Sequence, residues 1–320
     1  MTERGVSEVL GYIYIFGIVM AVLALVFVQV NSLVEDTKKT ILSQSLEQSF
    51  KKIQYTVYSV AFGETPSQIL DIELQGGELK LKKPYPQLII ALVNSTKDTT
   101  VISCPTNFRA GCLNLTYGYT NFTSATCTGI FDYASCIYSI NTSSMEYGYG
   151  TWRIGLEAGG VFSRYTDQGY SKLLSEPKII TFGLVGGTKT IVFTVPKVTG
   201  EVSAAGSGRF RFLIQENRTE FTIINVPSSK FNSTFNNPEG GLHVFVDHTE
   251  YARGWCKVFE KISDFNTTLS GDSCNSTSRC VCGDYATHAV FEPSRPSVGG
   301  TTLTLNMIIV VKEVEERTLG

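Results

Sequence analysis

The sequence predicts an α+β protein in which a long N-terminal hydrophobic helix precedes a mainly antiparallel β-sandwich head of one or two β subdomains. Three observations support this prediction. Residues 9–34 contain no charged side chain, and apolar residues then recur at helical spacing up to residue 62. From residue 64 onward the apolar period falls to two, in short runs separated by Gly, Ser and Asn. The 320 residues are enough for such a head to bury a sizeable core.

The charge-free segment has the length of a membrane span. Val9–Val28 is a run of twenty mostly apolar residues. As a helix it would be roughly 30 Å long, which matches the hydrocarbon core of a bilayer. No small-residue cleavage site follows the run, so it differs from a secretory signal peptide. Arg4 is the only basic residue before the span and is expected to stay in the cytoplasm, which places the rest of the chain outside.

The helix is expected to continue past the span as an amphipathic half, residues 35–62. Its apolar residues recur at intervals of three and four: Leu42, Leu46, Phe50, Ile53, Val57 and Val60. Gly63 and Pro66 predict that the helix ends near Phe62. We expect this half to pack on the head, while the apolar half has only lipid or copies of itself as partners.

The head is predicted to contain a β-rich domain at 64–200 and a second one, with one short helix, at 201–320. Gly200–Gly208 is the candidate boundary, with a single long loop as the alternative. The helix is expected at Thr249–Ile262, capped by Asp247 or Thr249. The predicted strands are Ile69–Leu74, Glu78–Lys82, Leu88–Val93, Thr99–Ser103, Arg153–Leu156, Ile179–Leu184, Ile191–Val195, Phe210–Gln215, Phe221–Val226, Leu242–Val246 and Thr302–Val311. The first two flank Gln75-Gly76-Gly77 and are expected to pair as a hairpin.

Eight cysteines in two groups of four predict disulfides in an oxidising compartment: Cys104, Cys112, Cys127, Cys136, Cys256, Cys274, Cys280 and Cys282. The sequence leaves their connectivity open. Pairing neighbours within the first group, Cys104–Cys112 and Cys127–Cys136, is the simplest choice. For the second group we prefer Cys256–Cys282 with Cys274–Cys280. A zinc site from the second group is the alternative, although Cys280-Val-Cys282 is tighter than the usual zinc knuckle.

Eight Asn-x-Ser/Thr sequons also indicate an exported head. All of them lie after residue 90, at Asn94, Asn114, Asn121, Asn141, Asn217, Asn232, Asn266 and Asn275. Such sites accept N-glycans only on the surface of an exported protein. We therefore expect covalent N-glycans on the head.

Composition and motifs argue against catalysis and against nucleic-acid binding. The net charge of −2 gives no strong positive field to attract nucleic acid. The three histidines, His243, His248 and His288, form a poor ligand set, and no phosphate loop or nucleophile elbow is present. Glu146 and Glu157 stay open as a glycosidase pair, because the sequence does not give their separation in space. We expect a protein that is not an enzyme and that needs no metal or other cofactor.

The first residues resemble a known family. Arg4-Gly5 is followed by Val6-Ser7-Glu8-Val9-Leu10-Gly11-Tyr12 and the apolar helix, which is similar to the class III signal of archaeal type IV pilin-like proteins. Looser likenesses to pilin-like proteins with a β-rich head lie in Trp152–Gly160, Leu173–Pro177 and Tyr251–Glu260. The resemblance implies that a prepilin peptidase removes a leader, residues 1–5, by cutting between Gly5 and Val6. It also implies that pilus assembly machinery packs the apolar helix into a filament core.

These observations favour a structural subunit of an extracellular type IV pilus-like filament, a helical homopolymer held together by residues 6–34. The chain would lie in the cell membrane as a precursor and afterwards in the filament or on the cell surface. Glu8 is the one charge near the apolar surface and would pair with the new amine of Val6 in a neighbouring subunit, while Gly11 and Gly17 would allow close helix approach. The alternative is a membrane-anchored, glycosylated surface protein that does not polymerise and carries an adhesive or binding head.

Overall fold

The structure is a computed structural model that describes residues 3–83, 85–93, 104, 108–114, 121–123, 132–184, 188–226, 241–262, 265–266, 281–282, 287–291 and 304–318. The chain divides into two compact units, Met1–Gln48 and Ser49–Gly320. The first unit is helical. The second contains the end of the same helix and the β-rich head, so the predicted α+β class is confirmed.

The described elements, in chain order, are α1 Glu3–Ala61, β1 Ser67–Glu73, β2 Gly77–Leu81, β3 Gln87–Val93, β4 Arg109–Asn114, β5 Asn121–Thr123, β6 Asp132–Asn141, β7 Ser144–Tyr149, β8 Trp152–Glu157, β9 Gly160–Tyr165, β10 Tyr170–Ser175, β11 Ile179–Leu184, β12 Thr188–Thr199, β13 Ser203–Gly206, β14 Arg209–Val226, β15 Gly241–Asp247, α2 Ala252–Lys261, β16 Phe265–Asn266, β17 Val281–Cys282, β18 Thr287–Phe291 and β19 Thr304–Thr318. The predicted strand Thr99–Ser103 lies outside the described residues.

Helix α1 ends where the sequence predicts. Its last apolar positions, Phe50, Ile53, Val57 and Val60, are at most 2% exposed. Gly63 adopts a φ of 74°, and the N–H groups of Gly63 and Glu64 donate to the carbonyls of Val60 and Ser59. This is a Schellman ending, in which a left-handed glycine lets the following N–H groups satisfy the last helical carbonyls.

The first sheet has the strand order β1-β14-β19-β12-β11 and contains the longest strands. Its neighbours are antiparallel except β12 and β19, which are parallel. Strand β14 joins the predicted strands Phe210–Gln215 and Phe221–Val226 into one, with a bulge at Asn217, which has no register partner on β19. Met307 and Ile309 share one face of β19 and are fully buried.

The second and third sheets are antiparallel. The second has the order β10-β9-β8-β7-β2-β13, and the third has the order β16-β18-β15-β3-β6-β4-β5 with β17 paired to β18. Apolar side chains of β3 and β15 pack with those of β12 and β19, and Tyr251, Trp255 and Phe259 of the α2 region join the same buried cluster. The first and third sheets therefore face each other across a common core, as in a sandwich.

The predicted hairpin at Gln75-Gly76-Gly77 is wrong. Gln75 and Gly76 do have positive φ angles of 46° and 90°, and the N–H of Gly77 donates to the carbonyl of Leu74. However, β1 pairs with β14 in the first sheet, whereas β2 pairs with β7 and β13 in the second. The turn signal correctly marked a tight turn, but it could not show that the flanking strands enter different sheets.

Strands from both sides of residue 200 share all three sheets. The second sheet pairs β13 with β2, the first pairs β14 with β1, and the third pairs β15 with β3. Because residues 49–320 also form one compact unit, the stretch Gly200–Gly208 lies within the head and does not divide it at that point.

Helix α2 is shorter than the predicted Thr249–Ile262, and its predicted cap is wrong. Its N-cap residue is Tyr251, which makes no side-chain capping bond, and the hydroxyl of Thr249 accepts from the N–H of Tyr251 itself. Instead, the hydroxyl of Ser171 on β10 accepts from the N–H of Gly254, at 2.8 Å. A cap from a distant strand is invisible in the local sequence, where only neighbouring side chains can be considered.

Candidate functional site

The apolar half of α1 is the first candidate site. The large apolar residues between Tyr12 and Val34 are 44–70% exposed. The segment Gly11–Asn31 is long and apolar enough to cross a membrane, and such a segment near an N-terminus can act as an anchor or as a signal. Exposed apolar surface on this scale is unfavourable in water and marks a contact with lipid or protein.

The predicted processing and assembly residues all lie in this half. Gly5, Val6 and Glu8 are in the first turns of α1, and their side chains lie outside the described residues. At Gly11 and Gly17 an added Cβ would meet nothing within 4 Å. Nothing within the described chain therefore requires glycine at these two positions.

The buried end of α1 is fixed by polar contacts to the head. The side-chain amide of Gln54 donates to the carbonyls of Gly159, at 2.6 Å, and Glu176, at 2.9 Å. The hydroxyl of Tyr58 accepts the backbone N–H of Lys178 at 2.9 Å. Gly159 has a φ of 83°, and a Cβ there would lie 2.2 Å from the Tyr58 hydroxyl, so both the conformation and the space require glycine.

A pair of buried carboxylates under α2 is the second candidate site. Glu146 on β7 and Glu157 on β8 are 3% and 1% exposed. The indole N–H of Trp255 donates to Glu157 at 2.7 Å, and the hydroxyl of Tyr251 donates to Glu146 at 2.8 Å. Tyr251, the N-cap residue of α2, and Trp255, four residues later, thus place two aromatic donors over two acidic residues of the second sheet.

Burial dominates the electrostatics of Glu157. Loss of water raises the pKa of its carboxyl to about 7, although hydrogen bonds from Thr249 and Trp255 lower it and the nearby charge of Glu146 raises it. Burial, with the charge of Glu146, also raises the pKa of the Tyr251 hydroxyl well above its usual range. Both groups are held in environments that favour their neutral forms.

Cations surround Glu146 at a greater distance. The guanidinium groups of Arg153 and Arg164 lie 3.9 Å from its carboxylate oxygens. Arg164 also forms an ion pair with Glu250, which in turn pairs with Lys82. The second sheet and the segment before α2 are therefore joined by a chain of charges as well as by aromatic packing.

The structure does bring Glu146 and Glu157 together, but as a closed pair. A glycosidase pair must flank a sugar that reaches both carboxyl groups. Here both are buried and already accept hydrogen bonds from Tyr251 and Trp255, so neither carboxyl group is exposed to a substrate in this conformation. The pair is better explained as the polar attachment of α2, and the expectation of a protein that is not an enzyme stays a prediction.

The sequence did not identify this attachment, although it contained a signal for it. Residues of three head segments quoted in the sequence analysis, Trp152–Gly160, Leu173–Pro177 and Tyr251–Glu260, pack in one buried cluster here. A Cβ on Gly155 would lie 2.6 Å from the Tyr251 hydroxyl, and one on Gly254 would lie 2.6 Å from the ring of Phe162. The glycines of these segments thus let α2 lie close to the sheet.

The disulfide pairing of the first cysteine group differs from the prediction. Cys104 is bonded to Cys136, with their Cα atoms 5.3 Å apart, so the expected Cys104–Cys112 and Cys127–Cys136 pairs are wrong. In the antiparallel pairing of β4 with β6, Cys136 lies opposite Ala110 and Cys112 opposite Ala134. This register places Ala110 rather than Cys112 opposite Cys136, and the disulfide partner of Cys136 is Cys104, which precedes β4.

The second cysteine group is described only in part. Cys256 on α2 is disulfide-bonded, which removes it as a thiolate ligand for the zinc alternative. The preferred pairs Cys256–Cys282 and Cys274–Cys280 stay predictions. Among the residues that the structure describes, no group of three or more His, Cys, Asp or Glu side chains could hold a metal ion.

The three histidines lie on, or directly after, two neighbouring strands of the third sheet. His243 is buried on β15 and stacks on Phe245. His248 follows the end of that strand with a φ of 56° and contacts the carboxylate of its neighbour Asp247 at 3.1 Å. His288 lies on β18 opposite Phe245 in the register.

The sequons fall into three sets. Asn141 and Asn217 have exposed side chains. Asn114, Asn121 and Asn266 lie on strands, and only their backbone is described. Asn94, Asn232 and Asn275 lie outside the described residues. The exposure of Asn141 and Asn217 is what a glycan acceptor needs.

An antiparallel β-rich head on one helix of membrane-spanning length defines the general class of this chain. It belongs to the DUF7289 family, a family of unknown function whose model matches residues 4–291. It is 46% identical, over 295 residues, to an uncharacterised protein of Archaeoglobus fulgidus, an alignment that covers 89% of this chain and 92% of that protein. No solved structure matches the chain.

Proposed function

We propose that this protein is a structural subunit of an extracellular type IV pilus-like filament, assembled through the apolar half of α1. It is made as a membrane precursor, loses residues 1–5, and joins a helical homopolymer in which the head faces out. The observation that supports this proposal best is the continuity of α1. One unbroken helix, Glu3–Ala61, is exposed and apolar in its first half and buried at its end.

The energetic reason for assembly is the burial of that first half. Burying a large apolar side chain stabilises by roughly 1.5–3 kcal/mol, and many such side chains between Tyr12 and Val34 are exposed. In the membrane, lipid covers them. Once the helix leaves lipid, only an apolar partner of similar length covers the same surface, and the same helix of a neighbouring subunit is such a partner.

Glu8 and the two glycines supply specificity. A new amine at Val6 pairs with Glu8 of a neighbour, because a carboxylate left unpaired among apolar helices is costly. Gly11 and Gly17 let neighbouring helices approach closely. A Gly17→Leu variant tests the glycine role, because a side chain there meets nothing within the chain. Normal membrane levels with loss of filaments are expected.

The main experiment is electron microscopy of material sheared from cells, with N-terminal sequencing of the subunit. We expect filaments whose subunits begin at Val6. Gly5→Leu should leave the protein in the membrane with its leader attached. The matched control is Gly183→Leu, the same exchange at an exposed head position where a Cβ meets nothing within 4 Å, and it should assemble normally.

The same experiment separates the two candidate roles. Intact chains beginning at Met1 and found only in membranes would overturn the filament and favour the membrane-anchored surface protein with a binding head. Glu8→Ala provides a narrower test. Unchanged filament yield in that variant would remove Glu8 from the assembly mechanism and leave the rest of the proposal standing.

A further inference from the structure

Two exposed sequon asparagines lie in opposite structural contexts. Asn217 is on β14, where its sequon continues through Arg218 and Thr219, and all three side chains are exposed. Asn141 ends β6, where its sequon continues through Thr142 and Ser143, which are 1% and 3% exposed. The motif that the modifying enzyme recognises includes the hydroxyl two residues after the asparagine, so access to the asparagine alone is not sufficient.

The pairing of β14 with β19 is interrupted at Asn217. Asn217 is the bulged residue of β14, without a register partner on β19. On the other side of β14, the pairing with β1 ends at Gln215, so among the described strands this segment has one neighbour. The Thr219 hydroxyl makes only a long bond, 3.4 Å, to the exposed carboxylate of Glu216. Arg218 and Thr219 do pair with Glu313 and Lys312 of β19, but all three sequon side chains are exposed, so an enzyme can reach them without opening the core.

The backbone around Asn141 is firmly held. The N–H and the hydroxyl of Thr142 both donate to the carbonyl of Pro86, at 2.8 and 2.9 Å. The Ser143 hydroxyl accepts the N–H of Val198 on β12 at 2.7 Å. Its oxygen is therefore part of the contact between β12 and the end of β6, and an enzyme can reach it only if that contact opens.

We propose that Asn217 is a glycan attachment site that the folded head presents, whereas Asn141 accepts a glycan only before the end of β6 has folded. In the reaction, the side-chain amide nitrogen of asparagine bonds to C1 of a sugar carried on a lipid phosphate. The bond from C1 to the phosphate oxygen breaks, the lipid phosphate leaves, and the amide nitrogen loses one proton. The inference concerns the head alone and does not depend on filament assembly.

The test uses the full chain, synthesised in a cell-free system with detergent. A purified oligosaccharyltransferase and a lipid-linked oligosaccharide are added either during synthesis or after folding is complete, and mass spectrometry measures the occupancy of each sequon. We expect Asn217 to be modified under both regimes. Occupancy of Asn141 should fall by roughly tenfold or more on late addition, since opening must break the hydrogen bonds of Thr142 and Ser143.

Variants of Thr219 verify the assignment within the same strand. Thr219→Val keeps a β-branched side chain but removes the hydroxyl, and should abolish the glycan at Asn217 under both regimes, while Thr219→Ser should retain it. Equal occupancy of Asn141 on early and late addition would overturn the proposal. So would an Asn217 that stays unmodified on late addition, or one that is modified under neither regime.

Discussion

Replacing Glu157 with glutamine should make the head more stable above neutral pH while leaving its stability in acid nearly unchanged. Glu157 is 1% exposed, and burial raises the pKa of its carboxyl from 4.5 to about 7. The folded protein therefore holds this proton more tightly than the unfolded chain does. Stability falls as the pH rises from the unfolded value of about 4.5 to the folded value of about 7.

The magnitude follows from the size of that shift. Each pKa unit corresponds to about 1.4 kcal/mol, so ionising Glu157 costs the folded state about 3 kcal/mol once the pH exceeds 7. Glutamine stays neutral, has the same shape, and keeps an oxygen that can accept from the indole N–H of Trp255. The unfolding free energy of the variant, relative to that of the wild type, should therefore rise by about 3 kcal/mol from pH 4 to pH 8.

Urea unfolding of the full chain in detergent, repeated at a series of pH values, measures this difference. Tryptophan fluorescence is a suitable signal, because Trp152 and Trp255 are both buried in the head and Trp255 donates directly to Glu157. The quantity of interest is the difference in unfolding free energy between variant and wild type, because the pH dependence that comes from groups remote from residue 157 is common to both proteins and cancels.

The matched control is Glu78→Gln on β2, the same exchange at a side chain that is 51% exposed. Its difference from the wild type should change little across the same pH range. A flat difference for Glu157→Gln, or one that favours the wild type as the pH rises, would refute the argument that burial keeps this carboxyl neutral below pH 7.

Two further predictions concern the covalent and steric supports of the head. Cys136→Ser should lower the unfolding free energy by about 2–4 kcal/mol in urea titrations. Cys104→Ser and the double variant should show the same loss, because all three remove the same disulfide bond. A larger loss in the double variant would contradict this explanation. Gly155→Ala should lower the unfolding free energy by about 1–3 kcal/mol, because its Cβ would lie 2.6 Å from the Tyr251 hydroxyl. Gly183→Ala, with open space around it, should lower it little. Equal losses in the two variants would argue against the clash.

The helix was predictable from the sequence because its determinants are local. The apolar period that includes Phe50 and Val57 and the stop at Gly63 are all properties of neighbouring residues, and the structure confirms them. Strand existence was also partly local, as for Ile179–Leu184. Strand pairing was not predictable from neighbouring residues, because the turn at Gln75-Gly76 shows that the chain reverses but not which strand β2 will pair with.

The two carboxylates could be paired from the sequence, but their structural role could not be predicted from it. The sequence offers Glu146 and Glu157 as a candidate pair, yet their role depends on Tyr251 and Trp255, which follow about a hundred residues later. The Cys104–Cys136 bond likewise joins two residues that are 32 positions apart in the sequence. Contacts of this range are fixed by the packing of the whole head, which local patterns do not encode.

The buried end of α1 is suited to transmitting mechanical force under either function considered for this protein. Gln54 donates to the carbonyls of Gly159 and Glu176, and Tyr58 accepts from the N–H of Lys178. These head atoms all belong to the backbone, so no rotation of a head side chain releases the helix. A force on α1 would pass directly to the turn after β8 and to the segment before β11. A filament subunit and a membrane-anchored adhesin both need such an attachment. The residues that distinguish the two roles are therefore those of the exposed half, Gly11–Asn31, whose partner is either lipid or another copy of the same helix.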